Sequence, residues 1–220
     1  MLDTDRRNIS SIVIAVLAGW LLLVLGAGLA GFFESGPSRP PLAVLVAVAG
    51  PLLVFASTYR VSRRFRDFVL ALDLGLVTAV QSWRVIGVMF LAFYAFGLLP
   101  GLFAWPAGVG DAAVGLAAPF VLLAVVRRSP TWRRQVLWLN VAGLLDFVGA
   151  IGMGVLSSNN SLGIAADGAA RVSLGSLPLS LIPTFAVPLW TICHVVSLLQ
   201  LARTAKTVSA RQSVGAMRAI

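Results

Sequence analysis

Residues 12–33 read IVIAVLAGWLLLVLGAGLAGFF, 22 residues without a charge. An α-helix needs about 20 apolar residues to cross a hydrocarbon core about 30 Å thick, so this run is long enough to span. It is too long for the apolar segment of a secretory signal, roughly 7–15 residues. No small-residue cleavage site follows at Phe33-Glu34. Although Arg6 and Arg7 precede it, the run is read as a retained first helix.

Five further segments approach the same length: Leu42 to Tyr59, Val77 to Gly97, Ala112 to Val126, Val136 to Leu156, and Leu181 to Leu201. With 59% hydrophobic and 11% charged residues, the chain is too apolar for an average soluble domain. The basic residues give a test independent of hydropathy, because Lys and Arg near span ends accumulate on the cytoplasmic side. Arg6 and Arg7, then Arg60, Arg63, Arg64 and Arg66, then Arg127, Arg128, Arg133 and Arg134, and lastly Arg203, Lys206, Arg211 and Arg218 make 14 on one set of ends. The alternate set holds only Arg39 and Arg171. An odd number of spans would destroy this alternation. The prediction is an all-α, polytopic bundle of six transmembrane helices, a single domain over 1–220, with both termini cytoplasmic and the chain multi-pass in the inner membrane. The net charge of +9 is spread over four clusters and not gathered on one face, which argues against a nucleic-acid partner. Cys193, the one cysteine, excludes a disulfide framework and reads as a small packing residue.

The connections carry their own expectations. The apolar, Pro/Gly-rich stretch Leu98 to Gly110 is expected to dip into the outer face, with Asp111 capping the start of the fourth helix. Its Pro106-Ala-Gly-Val-Gly-Asp111 run follows no strand and precedes no Lys-Ser/Thr, so it is not a phosphate loop. Part of Asp67 to Val77 is expected along the cytoplasmic interface, and Ser157 to Leu177, rich in Ser, Asn and Gly, reads as a flexible extracytoplasmic loop. No internal repeat of the transporter kind is visible. Small residues four apart, Ala27 with Gly31 and Ala150 with Gly154, favour close helix contacts and a homodimer.

Function is sought at polar groups inside the spans, since a charge at a helix centre costs about 2.5–3.5 kcal/mol on insertion scales. Gln81 and Arg84 are three apart and share a face, with Asp73 on the same stripe through Val77. From a start at Val77, Arg84 would lie about 10 Å deep, still within reach of snorkelling to the headgroups. Asp146, twelve residues from Arg134, needs a partner or a proton, and Arg84 is the obvious partner. Asn140 reads as an interhelical hydrogen-bonding residue, and Asp111 counts with Asp146 and Asn140 among the intramembrane polar residues. His194 is the only histidine, nine residues inside Arg203. A neutral imidazole at that depth is a good axial ligand for haem iron. Two copies across a homodimer axis, or Met89 or Met153, would supply the second bond, with Arg84, Gln81 and Trp83 near the propionates of a haem b. The competing reading of His194 is a hydrogen bond to a neighbouring helix.

The run Gln81-Ser-Trp-Arg84, Gly87, Phe90-Leu91, Leu99-Pro100, Phe103-Ala-Trp-Pro-Ala-Gly-Val-Gly-Asp111 and Gly115 resembles a pattern in small bacterial membrane proteins of unassigned function. The resemblance implies that the third helix, the Pro/Gly stretch and the fourth helix form the core of the site. It carries no activity to transfer.

No Ser/His/Asp set, carboxylate pair or His/Cys cluster at metal-ligand spacing is visible, which disfavours an enzyme. The leading expectation is a haem-binding, cytochrome-b-like membrane protein with His194 as metal ligand. The second is a small transporter or channel with Asp146 and Arg84 as a switchable pair. The third is an assembly subunit of a membrane complex whose polar groups only lock helices together.

Overall fold

With no water in the bilayer core, each spanning segment must satisfy its own backbone, and helix is the only solution open to a single segment. A computed structural model describes residues 3–34, 41–156 and 173–217, and among these every regular element is helical. The elements are α1 (Asp3–Leu29), α2 (Leu42–Val61), α3 (Arg63–Leu70), α4 (Leu74–Val80), a 3₁₀ segment (Gln81–Gly87), α5 (Val88–Ala95), α6 (Gly101–Val126), α7 (Trp132–Leu156), a π turn (Ile182–Ala186) and α8 (Val187–Met217). They make six spans long and apolar enough to cross a membrane: Arg7–Leu29, Leu42–Val61, Leu74–Ala95, Gly101–Val126, Trp132–Leu156 and Ile182–Thr204. The expected all-α, six-span fold is the observed one. Arg39, Arg171, Arg218 and most of the loop read from Ser157 lie outside the described residues.

The third to sixth spans form the buried core, while the first two bury far less of their length. Large apolar side chains such as Leu22, Leu53, Phe120, Trp138 and Val148 are exposed on the outside of the bundle, where lipid, as apolar as they are, replaces water. Burial in water therefore cannot be what draws the spans together, and close packing has to do it. The face of α6 carrying Ala104, Ala107, Gly108, Val114, Gly115 and Ala118 is buried between the third and fifth spans.

Helix ends follow local chemistry. After α1, Gly31 (φ +70°) closes a Schellman motif, with Phe32 N–H donating to Ala27 O at 2.9 Å and Gly31 N–H to Gly28 O at 3.0 Å. Gly31 thus ends a helix, and the expected packing pair with Ala27 does not form through it. Ser62 caps α3 by accepting from Phe65 N–H at 3.2 Å. Asp73 caps α4, accepting from Gly75 and Leu76 N–H at 2.6 and 3.3 Å. The separate α3 accounts for the excess length ahead of the third span: Phe68 and Val69 are buried and Arg63 and Arg64 exposed.

One local expectation is overturned. Leu98 to Gly110 does not form a dipping loop, because α6 starts at Gly101 and runs through Pro106 and Gly110 without a break. Pro106 costs a single backbone bond near the helix start, whereas a lipid-facing loop would leave many groups unsatisfied. Asp111 is accordingly an interior residue of the helix and no cap.

Candidate functional site

Seven residues, Gln81–Gly87, wind as 3₁₀ helix in the middle of the third span. Residues three apart eclipse in that geometry. Gln81, Arg84 and Gly87 accordingly stack on one line, and all three are buried. Trp83, one position earlier, is 74% exposed and takes no part in the site, so the expected pairing of Trp83 with Arg84 at one site does not occur.

Arg84 does not snorkel. Its side chain is fully buried and its guanidinium is the hub of a cluster drawn from four spans. Nε donates to Asp111 Oδ1 on α6 at 2.8 Å. Nη2 donates to Asp146 Oδ2 on α7, the pairing expected from sequence. Nη1 lies 3.4 Å from the Gly143 carbonyl oxygen and 2.9 Å from His194 Nε2 on α8. The guanidinium carbon sits 3.8 Å from the centre of the Phe147 ring, a cation–π contact strengthened by exclusion of water. Trp190 stacks on the far part of this aromatic layer, 6.3 Å from Phe147 between centroids.

Hydrogen-bond bookkeeping assigns the histidine its tautomer. Asn140 Nδ2 donates to the Val136 carbonyl at 2.7 Å, which fixes the amide with Oδ1 toward His194. That oxygen can only accept, so His194 Nδ1, 2.7 Å away, carries the hydrogen. Arg84 can only donate, so Nε2 presents its lone pair to Nη1. The imidazole is neutral, and both its nitrogens are engaged.

The four groups also share one depth. Ala95 lies 11 residues beyond Arg84, Gly101 10 before Asp111, Leu156 10 beyond Asp146 and Ile182 12 before His194. At about 1.5 Å per residue they sit about 15–18 Å from the same face, near the middle of a core about 30 Å thick. Glycines make the convergence possible. A Cβ at Gly115 would meet backbone atoms of Arg84 and Val85, one at Gly87 would meet Asp111, and one at Gly110 would meet Asp146.

Residues 41–202 match a domain of unknown function, DUF8737. The chain belongs to the DUF8737 family. The matched region contains spans two to five, all but the last two residues of span six, and every residue of the cluster, while the first span precedes it. No curated protein and no solved structure matches the chain.

Within this DUF8737 chain both ring nitrogens of His194 are engaged by protein groups, and a haem would have to displace one of them. Axial ligation needs a free ring nitrogen with open space beyond it. Here Nδ1 is committed to Asn140, and the Nε2 edge is closed by Arg84 and by Gly143, whose missing side chain is the room the ring occupies. His194 is fully buried within the chain. Met153 packs against the outer core cluster of Phe90, Leu99 and Phe103, and Met89 is half-buried on α5.

Sequence reasoning did not find Gly143, Phe147 or Gln200. Asn140, Gly143 and Phe147 share the i, i+3, i+7 face of α7, a spacing that could have marked the first two of these. Gln200 Nε2 donates to the Val69 and Leu72 carbonyls at 3.2 and 2.9 Å and ties α8 to the corner between α3 and α4. Asp73, placed by its spacing on the Arg84 stripe, is instead spent on its cap. Gln81 reaches α8 through Nε2 to the Trp190 carbonyl at 3.3 Å, and its Oε1 is buried without a partner.

Proposed function

We propose that the protein is a small proton-moving transporter or channel, with both tails on the cytoplasmic side, in which Asp146 and Arg84 form a switchable pair. The observation that carries this reading is the charge count of the cluster: two carboxylates, Asp111 and Asp146, share one guanidinium at mid-membrane, and the histidine beside them is neutral. One negative charge is left over where an unpaired charge is costly. A single bound proton restores neutrality, and its loss and return is a step that a membrane cycle can use.

The two carboxylates differ in a way that suits different roles. Asp111 is bonded to Nε, lies against Gly87 and has a side chain 9% exposed, which suits a permanent counter-ion. Asp146 has the more open side chain, at 12%, with its second oxygen against Gly110. Asp146 is the exchange site. Asparagine at 146 keeps an acceptor for Arg84 and mimics the protonated form, so Asp146→Asn should fold normally and be locked in one state. In liposomes with an interior pH dye, wild type should dissipate an imposed pH gradient faster than empty vesicles, and Asp146→Asn should not. The infrared band of a protonated carboxyl should be present in wild type and absent from the variant. Equal proton flux in both proteins would leave the cluster as a lock between helices. A haem Soret band that disappears in His194→Ala would favour the cytochrome-like reading.

A further inference from the structure

The end of the bundle opposite the outer face carries arginines whose roles the proton-moving cluster does not absorb. Arg60 lies in the last turn of α2, Arg63, Arg64 and Arg66 lie on α3, and Asp67 is the sole acidic residue from Arg60 to Leu72. Arg60, Arg63 and Arg64 are exposed, whereas Phe68 and Val69 on the opposite face of α3 are buried against Val77 and Val196. An eight-residue helix docked by one face and basic on the other presents its charge outward by construction. Phe55, Tyr59 and Phe65 sit between α2 and α3 in a run of ring contacts, 6.1 Å for Phe55 to Tyr59 and 5.9 Å for Phe55 to Phe65. Tyr59, beside these basic groups, is of a ring type enriched at the headgroup level of a bilayer.

A second basic group lies at the same end. Arg127, Arg128, Arg133 and Arg134 are exposed in and beside the turn between α6 and α7, and no acidic residue lies from Val126 to Asn140. Leu74, at the start of α4 just beyond α3, packs against the same buried apolar cluster as Val125 and Trp132, so the two groups flank one corner of the bundle. That corner is also held to α8 by Gln200.

We infer that α3 and the α6–α7 turn form a binding surface for anionic phospholipid headgroups, with Arg63 and Arg64 as principal phosphate contacts. A phosphodiester at the membrane surface matches exposed guanidinium groups in charge and in hydrogen-bond geometry, and α3 holds them at the level where such groups lie. Each basic residue near an anionic surface strengthens attraction about fivefold.

The test uses the full chain purified in neutral detergent. It is incubated with equal amounts of phosphatidylglycerol and phosphatidylcholine of the same chain length, separated from free lipid, and the retained lipids are quantified. The expected result is enrichment of phosphatidylglycerol that falls on the order of tenfold or more in Arg63→Gln/Arg64→Gln, since two contacts are removed. Helix content by circular dichroism should be unchanged, because both side chains are exposed. Addition of millimolar inorganic phosphate should leave the enrichment intact. Equal retention of the two lipids overturns the inference, as does enrichment that survives the double change. Displacement by inorganic phosphate would also overturn it, by making this a site for a free anion.

Discussion

Arg84→Met should destabilise the protein more than any other single substitution in the cluster, by about 3–5 kcal/mol, because removing one partner of a buried ionic set leaves the others uncompensated. Methionine fills much of the same volume, so the loss is electrostatic in origin. Asp111 and Asp146 would face each other at mid-membrane without a cation, and His194 Nε2 and the Gly143 carbonyl would lose their donor. The expected readout is a large fall in thermal midpoint and in the monodisperse fraction after detergent extraction. The triple variant Arg84→Met/Asp111→Asn/Asp146→Asn supplies the diagnostic. Removing the whole charged set can be nearly neutral where removing one member is not. Recovery of most of the lost stability in the triple variant is expected. A single variant as stable as wild type would show that the guanidinium is not the hub described above.

Gly115→Ala should be the most damaging change of a single methyl group. In an exposed helix interior, Gly to Ala stabilises by about 1 kcal/mol. At Gly115 the added Cβ would lie 3.0 Å from both Arg84 C and Val85 Cα, and closer still to Val85 N. These are backbone atoms and cannot rotate aside, so α6 and the third span would have to separate. Overpacking of this kind costs about 1–3 kcal/mol and occasionally more, and separation would also lengthen the Arg84 to Asp111 bond. Gly149→Ala on α7 is the matched control, since nothing lies within 4 Å of a Cβ there. Its expected effect is neutral to slightly stabilising. If thermal unfolding in detergent ranks the two variants equally, the close approach of the third and fourth spans is not what limits stability.

These two experiments probe features that differ in how far the sequence reveals them. Arg84, Asp146, Asn140 and His194 stand out in a one-dimensional reading because each interrupts an apolar run. Their partners stand out less. Asp111 is visible as an intramembrane polar residue but reads as a cap, because the prolines and glycines before it favour loops in water yet pass into helix when lipid offers the backbone no other partner. Gly143 and Gly115 carry no signal of their own, for a glycine says only that something comes close and never what. The fate of His194 turned on a detail no spacing encodes: the orientation of one amide, set by the carbonyl of Val136, which commits both ring nitrogens to hydrogen bonds.

The amino-acid sequence by itself determined the number of spans and the placement of arginines on alternate ends, because hydrocarbon thickness and backbone satisfaction act on each segment independently of its neighbours. Only the tertiary structure decided that polar groups from three other spans meet around the Arg84 guanidinium. That convergence depends on a seven-residue 3₁₀ turn, on glycines at helix crossings and on a common depth. These are relations between segments distant in the chain, and they exist only once the helices have packed.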